Sequence, residues 1–206
     1  MKKIGLLLLT IVLTFSCKKD DDSSGASIEN KEASKLNLVT GILLRAGAYD
    51  QPIVYGNPNG KGILQEQTSA SNPEPGNGGL TTSELPEPLV VFPNPPVDFL
   101  WIKTNFEKKA SKIWIVNGVP TKKYASIDYK ALLQDVSYSD GELENASLIS
   151  LSDANIDSPI NISDLEVGYY RIFVKSEVGL EWANFYKPDN SANAEDLFSI
   201  MDRFWN

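Results

Sequence analysis

The sequence predicts an all-β protein: an antiparallel immunoglobulin-like β-sandwich with an extended N-terminal region and a short C-terminal helix. Three observations carry this. First, "WIK", "KIWIV", "YYRIFVKS" and "LEWANFY" alternate apolar and polar residues with period two, as strands buried on one face must. Second, Gly118, Gly141, Gly168 and Gly179 fall between such runs, where turns are needed. Third, about seven short strands crowd into about a hundred residues with no long helical run among them.

The N-terminus comes first because its character decides what is left to fold. Met1, Lys2 and Lys3 precede the apolar run "IGLLLLTIVLTF", which is too short to span a bilayer stably and leads through Ser16 to Cys17. Cys17 is the only cysteine, so no disulfide within the chain is possible. Residues 1–16 with Cys17 resemble a bacterial lipoprotein signal, although Thr14 stands where that family more often has Leu, with Leu13 one place earlier. The resemblance implies cleavage before Cys17 and a covalent lipid on that residue; no other cofactor is expected. Residues 17–35 then read as a flexible tether, since "KKDDD" and "SSGAS" offer little apolar surface to bury. Its acidic triplet resembles the export signal of Bacteroidetes lipoproteins, which implies a lipid-anchored protein on the outer membrane, facing the extracellular side.

Residues 36–67 form a short-strand extension. Candidate strands lie at Leu36–Arg45 and Pro52–Tyr55, with a "NPNGKG" turn and a short run at Ile63. Two or three short strands are marginal in water, so this stretch needs something to pair with. Residues 68–88, rich in Pro, Gly and Ser, read as a linker and mark the clearest domain boundary. In residues 89–187 strands are expected at Leu89–Phe92, Phe99–Thr104, Lys112–Asn117, Tyr124–Tyr129, Ala146–Leu151, Ile160–Ser163, Tyr169–Ser176 and Leu180–Tyr186. "DYKALLQDV", residues 128–136, suits a short helix between sheets.

"VVFPNPPVDFLWI" resembles the opening of the type A C-terminal sorting domain of the type IX secretion system, with Phe92, Pro93, Asn94 and Pro95 as its motif and Leu100 and Ile102 as inward positions. "KIWIVNGVP" is similar to that family's central strand, Asn117 and Gly118 making the turn. "INISDLEVGYYRIFVKSEVGLEWANFYK" is similar to its closing hairpin, with Leu165, Gly168, Tyr170 and Gly179 in place. The physics of the corner is readable without the family. Pro93 and Pro95 fix φ and remove donors, so ladder bonds are not expected there, and Asn94 can bond its own backbone to hold a turn.

The chain departs from the family where that family's last strand would end the protein. Nineteen residues follow Lys187, and the stretch between Val119 and Ile160 is long. Residues 188–206 predict an amphipathic helix capped by Ser191 or Asn193, with Glu195 and Asp196 in its first turn. Leu197, Ile200, Met201, Phe204 and Trp205 fall on one face, which must pack on the chain's own sandwich or on a partner.

Catalysis finds little support. The chain has no histidine and no Gly-x-Ser-x-Gly or phosphate-binding glycine loop, and the spacing of Asp153, Asp157 and Asp164 fits no calcium loop. A net charge of −8 argues against a nucleic-acid partner. The expectation is therefore a non-catalytic accessory subunit of an outer-membrane complex for secretion, uptake or barrel assembly. Its partners would be an outer-membrane barrel protein or other surface lipoproteins, with the membrane held through the lipid. A free-standing surface module binding glycan or protein is the alternative, with Trp101, Trp114, Trp182 and Trp205 as candidate contacts. Secreted cargo of the type IX system is a further alternative.

Overall fold

Residues of like parity on the strands after Leu89 point the same way, and the chain sorts them onto two facing sheets. The structure, a computed structural model, describes residues 36–60, 88–104, 109–123, 126–127, 136–177 and 179–206. In order these form β1 (Leu38–Val39), β2 (Gly41–Leu44), β3 (Ile53–Gly56), β4 (Leu89–Phe92), β5 (Phe99–Thr104), β6 (Lys109–Asn117), β7 (Val119–Pro120), α1 (Asp140–Ala146), β8 (Ser147–Asn155), β9 (Ile160–Asn161), β10 (Gly168–Ser176), β11 (Gly179–Lys187) and α2 (Ala194–Trp205). Strands β4 and β5 coincide with the runs read from sequence. The signal, the tether, the linker, Ile63 and nearly all of the expected strand at 124–129 and helix at 128–136 lie outside the described residues.

A four-stranded antiparallel sheet, β11-β10-β6-β8, faces a three-stranded one, β4-β5-β9. The β10–β11 hairpin keeps one register from Gly168↔Lys187 to Ser176↔Gly179, and the closing turn places Gly179 at φ 142, which a side chain would resist. Leu89, Val91, Leu100 and Ile102 from one sheet meet Ile113, Ile115, Tyr170, Ile172, Val174 and Phe185 from the other. Tyr170, at the start of β10, donates its hydroxyl to the Glu166 carbonyl four residues upstream at 2.7 Å. That is the tyrosine corner found in immunoglobulin-type sandwiches.

The period-two reading predicts strands with one wet face, and here the structure differs. Most of β10 and β11 is buried on both faces, because the outward residues of the four-stranded sheet carry a second core. Trp114, Val116, Phe173 and Trp182 pack against Leu38 and Leu143, while Tyr169 and Tyr186 pack against Val39, Ile42, Leu44 and Tyr55. The segment expected to seek a partner's sheet edge thus covers the chain's own sheet. β2 and β3 form a hairpin, and β1 pairs with β7 in parallel, the one parallel pair among the described strands. The domain boundary expected between this segment and the sandwich therefore does not separate two packed bodies.

Polar groups lock this cover in place. Arg171, 1% exposed, projects from the outward face of β10 and donates Nε to Asn184 Oδ1 at 2.9 Å and Nη1 to the Leu36 carbonyl at 3.3 Å. Its Nη2 donates to the Leu38 carbonyl. Asn184 Nδ2 donates to the Gly41 carbonyl at 3.0 Å and to Asn59 Oδ1 at 2.7 Å. Asn59, fully buried, donates to the Leu38 carbonyl at 2.9 Å, and its own carbonyl accepts from Trp182 Nε1 at 3.0 Å. Buried polar groups that are all bonded in this way specify one arrangement, since any slip leaves several of them without partners.

Two helices complete the outer layer. α1 starts with a capping box between Ser139 and Glu142, buries Leu143 and so places Gly141 in a helical turn instead of a loop. α2 is capped by Asn193 with Asp196 reciprocating, the second of the two caps read from sequence. Met201 is fully buried and Trp205 nearly so, with Leu197, Ile200 and Phe204 beside them on the chain's own second core. Gly56, at φ 67, makes this possible, because a Cβ there would sit 2.5 Å from the Trp205 ring. Trp205→Ala is expected to lower the unfolding free energy by about 3–5 kcal/mol, against about 1 kcal/mol or less for Phe198→Ala, whose side chain is 41% exposed two turns earlier; chemical denaturation measures both.

Candidate functional site

The Pro-Asn-Pro corner is the best-defined constellation among the residues singled out from sequence. Strand β4 ends at Phe92, and the peptide bonds Phe92–Pro93 and Asn94–Pro95 are both cis. Asn94 between them is 2% exposed. Contrary to expectation, its backbone does make ladder bonds: Asn94 N donates to the Arg45 carbonyl and Arg45 N to the Asn94 carbonyl, both at 2.8 Å. Nor does its side chain bond its own backbone. Nδ2 donates to the Leu43 carbonyl at 2.7 Å and to the Asn184 carbonyl at 3.2 Å, and Oδ1 accepts from the Tyr186 N–H at 3.3 Å. One amide thus ties the corner to β2 and to β11. The residue type follows: a side chain with a donor and an acceptor at this length fits, and two flanking prolines remove N–H groups that would otherwise need partners there.

Beside the corner lies an apolar groove of about 360 Å³. Leu44 and Ile53 line one side, Pro93 and Pro95 another, and Ala194, Leu197 and Phe198 of α2 a third. Ile53 is 50% exposed and Phe198 41%, which is unusual for large apolar side chains that converge on one depression. Asp50 lines the same groove, its carboxylate held by the Gly47 N–H at 2.6 Å. Arg45 lines it as well, so the groove is bordered by one residue of each charge. No sequence signal marks this groove, because hairpin, corner and helix meet only in the fold.

The other expected positions are structural. Gly118 donates its N–H to the Tyr169 carbonyl at 2.7 Å, and a Cβ there would lie 2.8 Å from that carbonyl and from Val39 Cγ2, so the close approach needs glycine. Gly168 opens β10 with no crowding, its nearest neighbours being ring atoms of Tyr170 at 3.9 Å. Asn117, Leu165 and Tyr170 line a second, more polar groove of about 650 Å³ with Leu148, Ile149, Asn161, Asp164 and Glu166. Trp114 and Trp182 are 1% exposed and Trp205 7%, so three of the four tryptophans are core residues and not surface contacts. Trp101 is partly covered and stacks on Phe92 at 6.5 Å.

Candidate chemistry stays sparse among the described residues. No three acidic, cysteine or histidine side chains are placed to hold a metal ion. Asp157 pairs with Lys103 at 3.8 Å, Asp153 is exposed at φ 51 and Asp164 borders the second groove, so the three carboxylates do not converge. No described helix is long and apolar enough to cross a membrane. Cys17 lies outside the described residues. Burial pushes the Tyr169 hydroxyl up to about 12, with Tyr186 adding to the shift, and Tyr186 and Tyr170 are raised by burial as well. No family model, curated protein or solved structure matches this chain.

Two outcomes follow. Asn94→Ala is expected to cost about 3 kcal/mol in denaturant unfolding, since two buried carbonyls and a buried N–H lose their partner at once. Because the folded pKa of Tyr169 is raised from 10.0 to about 12, the stability it contributes is whole below pH 10 and is lost as pH rises toward about 12. Tyr169→Phe should move the alkaline unfolding midpoint upward, as read by circular dichroism along a pH titration.

Proposed function

We propose that this chain is a lipid-anchored outer-membrane protein that serves as a non-catalytic accessory subunit of a larger outer-membrane complex, on the extracellular side. The address rests on the sequence: a basic start, a short apolar run, Cys17 directly after it and an acidic tether. The subunit role rests on one structural observation, the groove beside the Pro-Asn-Pro corner. The N-terminal segment and the C-terminal helix each bury one face on the sandwich, and their remaining side chains, Ile53 and Phe198 among them, line the groove. What stays open is an apolar floor with Ile53 and Phe198 half exposed and Asp50 at its edge. Its occupant is a short apolar segment of the partner, matching the apolar floor.

On this reading the sandwich is a sorting-type fold kept as a scaffold. Tyr170 and Asn94 support it by holding strand geometry, while the nineteen residues after Lys187 replace a terminal strand with a docked helix. A second reading, a surface module for glycans, draws on the stacked Phe92–Trp101 pair and on Phe99, 46% exposed and on the strand that carries Trp101. The tagged protein, recovered from outer membranes in mild detergent, is expected to bring down a stoichiometric integral barrel partner. Ile53→Asp and Phe198→Asp should each release that partner without lowering thermal stability. A free, monodisperse protein that binds surface glycans would sink the subunit reading.

A further inference from the structure

The four-stranded sheet carries a core on each face, whereas the outward face of the three-stranded sheet is covered at Val90, by Ala48, and lies open further along β5 among the described residues. Leu100 and Ile102 point into the core, so Phe99 and Trp101 point outward. Phe99 is 46% exposed, and the half-buried Trp101 ring lies 25° from the plane of Phe92 on the neighbouring strand. The solvent face of an antiparallel sheet ordinarily carries polar side chains, and this one carries a strip of aromatic rings.

The strip leads into the second groove. Phe99 pairs with Asn161 across β5 and β9, and residues paired in this way carry their side chains on the same face. Asn161 lines the groove of about 650 Å³, where Asn117, Asp164 and Glu166 supply further polar groups. No lysine or arginine lines it among the described residues. Its apolar wall includes Leu148, 57% exposed, which sits at a bulge: Ile115 pairs with Ile149 and Val116 with Ser147, so Leu148 has no place in the ladder. Bulges re-aim side chains at sheet rims and beside binding sites. The loop that carries the acids is held by its backbone, Leu165 donating its N–H to the Ile162 carbonyl at 3.0 Å and Tyr170 its hydroxyl to the Glu166 carbonyl at 2.7 Å.

We propose that strip and groove together form one binding site for a neutral oligosaccharide. A sugar ring presents a C–H face of weak positive charge, which packs on the negative faces of Phe99 and Trp101. Its hydroxyls donate to the Asp164 and Glu166 carboxylates in charge-assisted bonds, and they both donate to and accept from the amides of Asn117 and Asn161. The charge of the lining is wholly acidic, which disfavours phosphorylated, sulfated or uronic chains. An apolar protein segment fits less well, because it would strip water from two carboxylates without pairing them. This site rests on the glycan reading and extends it from an aromatic pair to a groove. It shares no lining residue with the groove beside the corner, so a sugar and a barrel partner can be held at once.

Titration calorimetry of the full chain in detergent against neutral oligosaccharides of glucose, mannose, galactose and xylose tests the site. At least one is expected to bind and to shift tryptophan emission, since Trp101 is the least buried of the four tryptophans. Asp164→Asn combined with Glu166→Gln should weaken binding about tenfold or more, and Trp101→Ala should weaken it as much and remove the emission change. Circular dichroism on each variant verifies that the sandwich is folded. Failure of every sugar to bind overturns the proposal, whatever the pull-down of a barrel partner shows. Binding that needs Trp101 but ignores the two carboxylates also overturns it, while leaving the simpler glycan reading in place. Tighter binding of hexalysine than of any sugar overturns it in favour of a cationic ligand.

Discussion

A guanidinium buried on the outward face of a sheet constrains this molecule more than any other group. Arg171 sits where a sandwich strand ordinarily meets water, yet it is 1% exposed and reaches carbonyls of Leu36 and Leu38. Desolvating a charge is costly unless its donors are met, and truncating the partners of such a group costs several kcal/mol. The N-terminal segment is therefore a structural necessity of the sandwich. Asn184 and Asn59 extend the same network until every strand of that segment is held by at least one buried side chain or ladder bond.

From this constraint the layering follows. The four-stranded sheet is sandwiched twice, by the three-stranded sheet on one face and by the N-terminal hairpin and two helices on the other. Asn94 joins the layers, since its one side chain touches β2 of the cover and β11 of the central sheet while its backbone continues from β4. A motif that reads from sequence as a corner is in the fold a three-way junction. The groove beside it exists because three elements converge there without filling the space between them.

Much of the sandwich was legible because its signals are local. Strands β4 and β5 are bounded by Pro and charged residues, and the Asn193 cap stands three residues before Asp196. Helix α1 is short and buries only Leu143, so its apolar signal is weak, although Ser139 and Glu142 spell a capping box that does mark it. The second core was not legible, for a physical reason. Arg171 and Asn184 read as solvent-facing in a period-two pattern, and only their partners more than a hundred residues away, Leu36 and Gly41, make burial tolerable. The groove was illegible for the same cause, as Ile53 and Phe198 are neighbours in space alone.

The contact between Trp205 and the hairpin of Gly56 also orders events in time. Val39, Ile42 and Tyr55 are synthesised early and Trp205 last of all the strand and helix residues, yet they share one core. While the chain is still being made, the outward face of the central sheet has no complete cover. A chain shortened by this one helix would leave Tyr169, Tyr186 and Tyr55 as a sticky aromatic surface open to association with other chains.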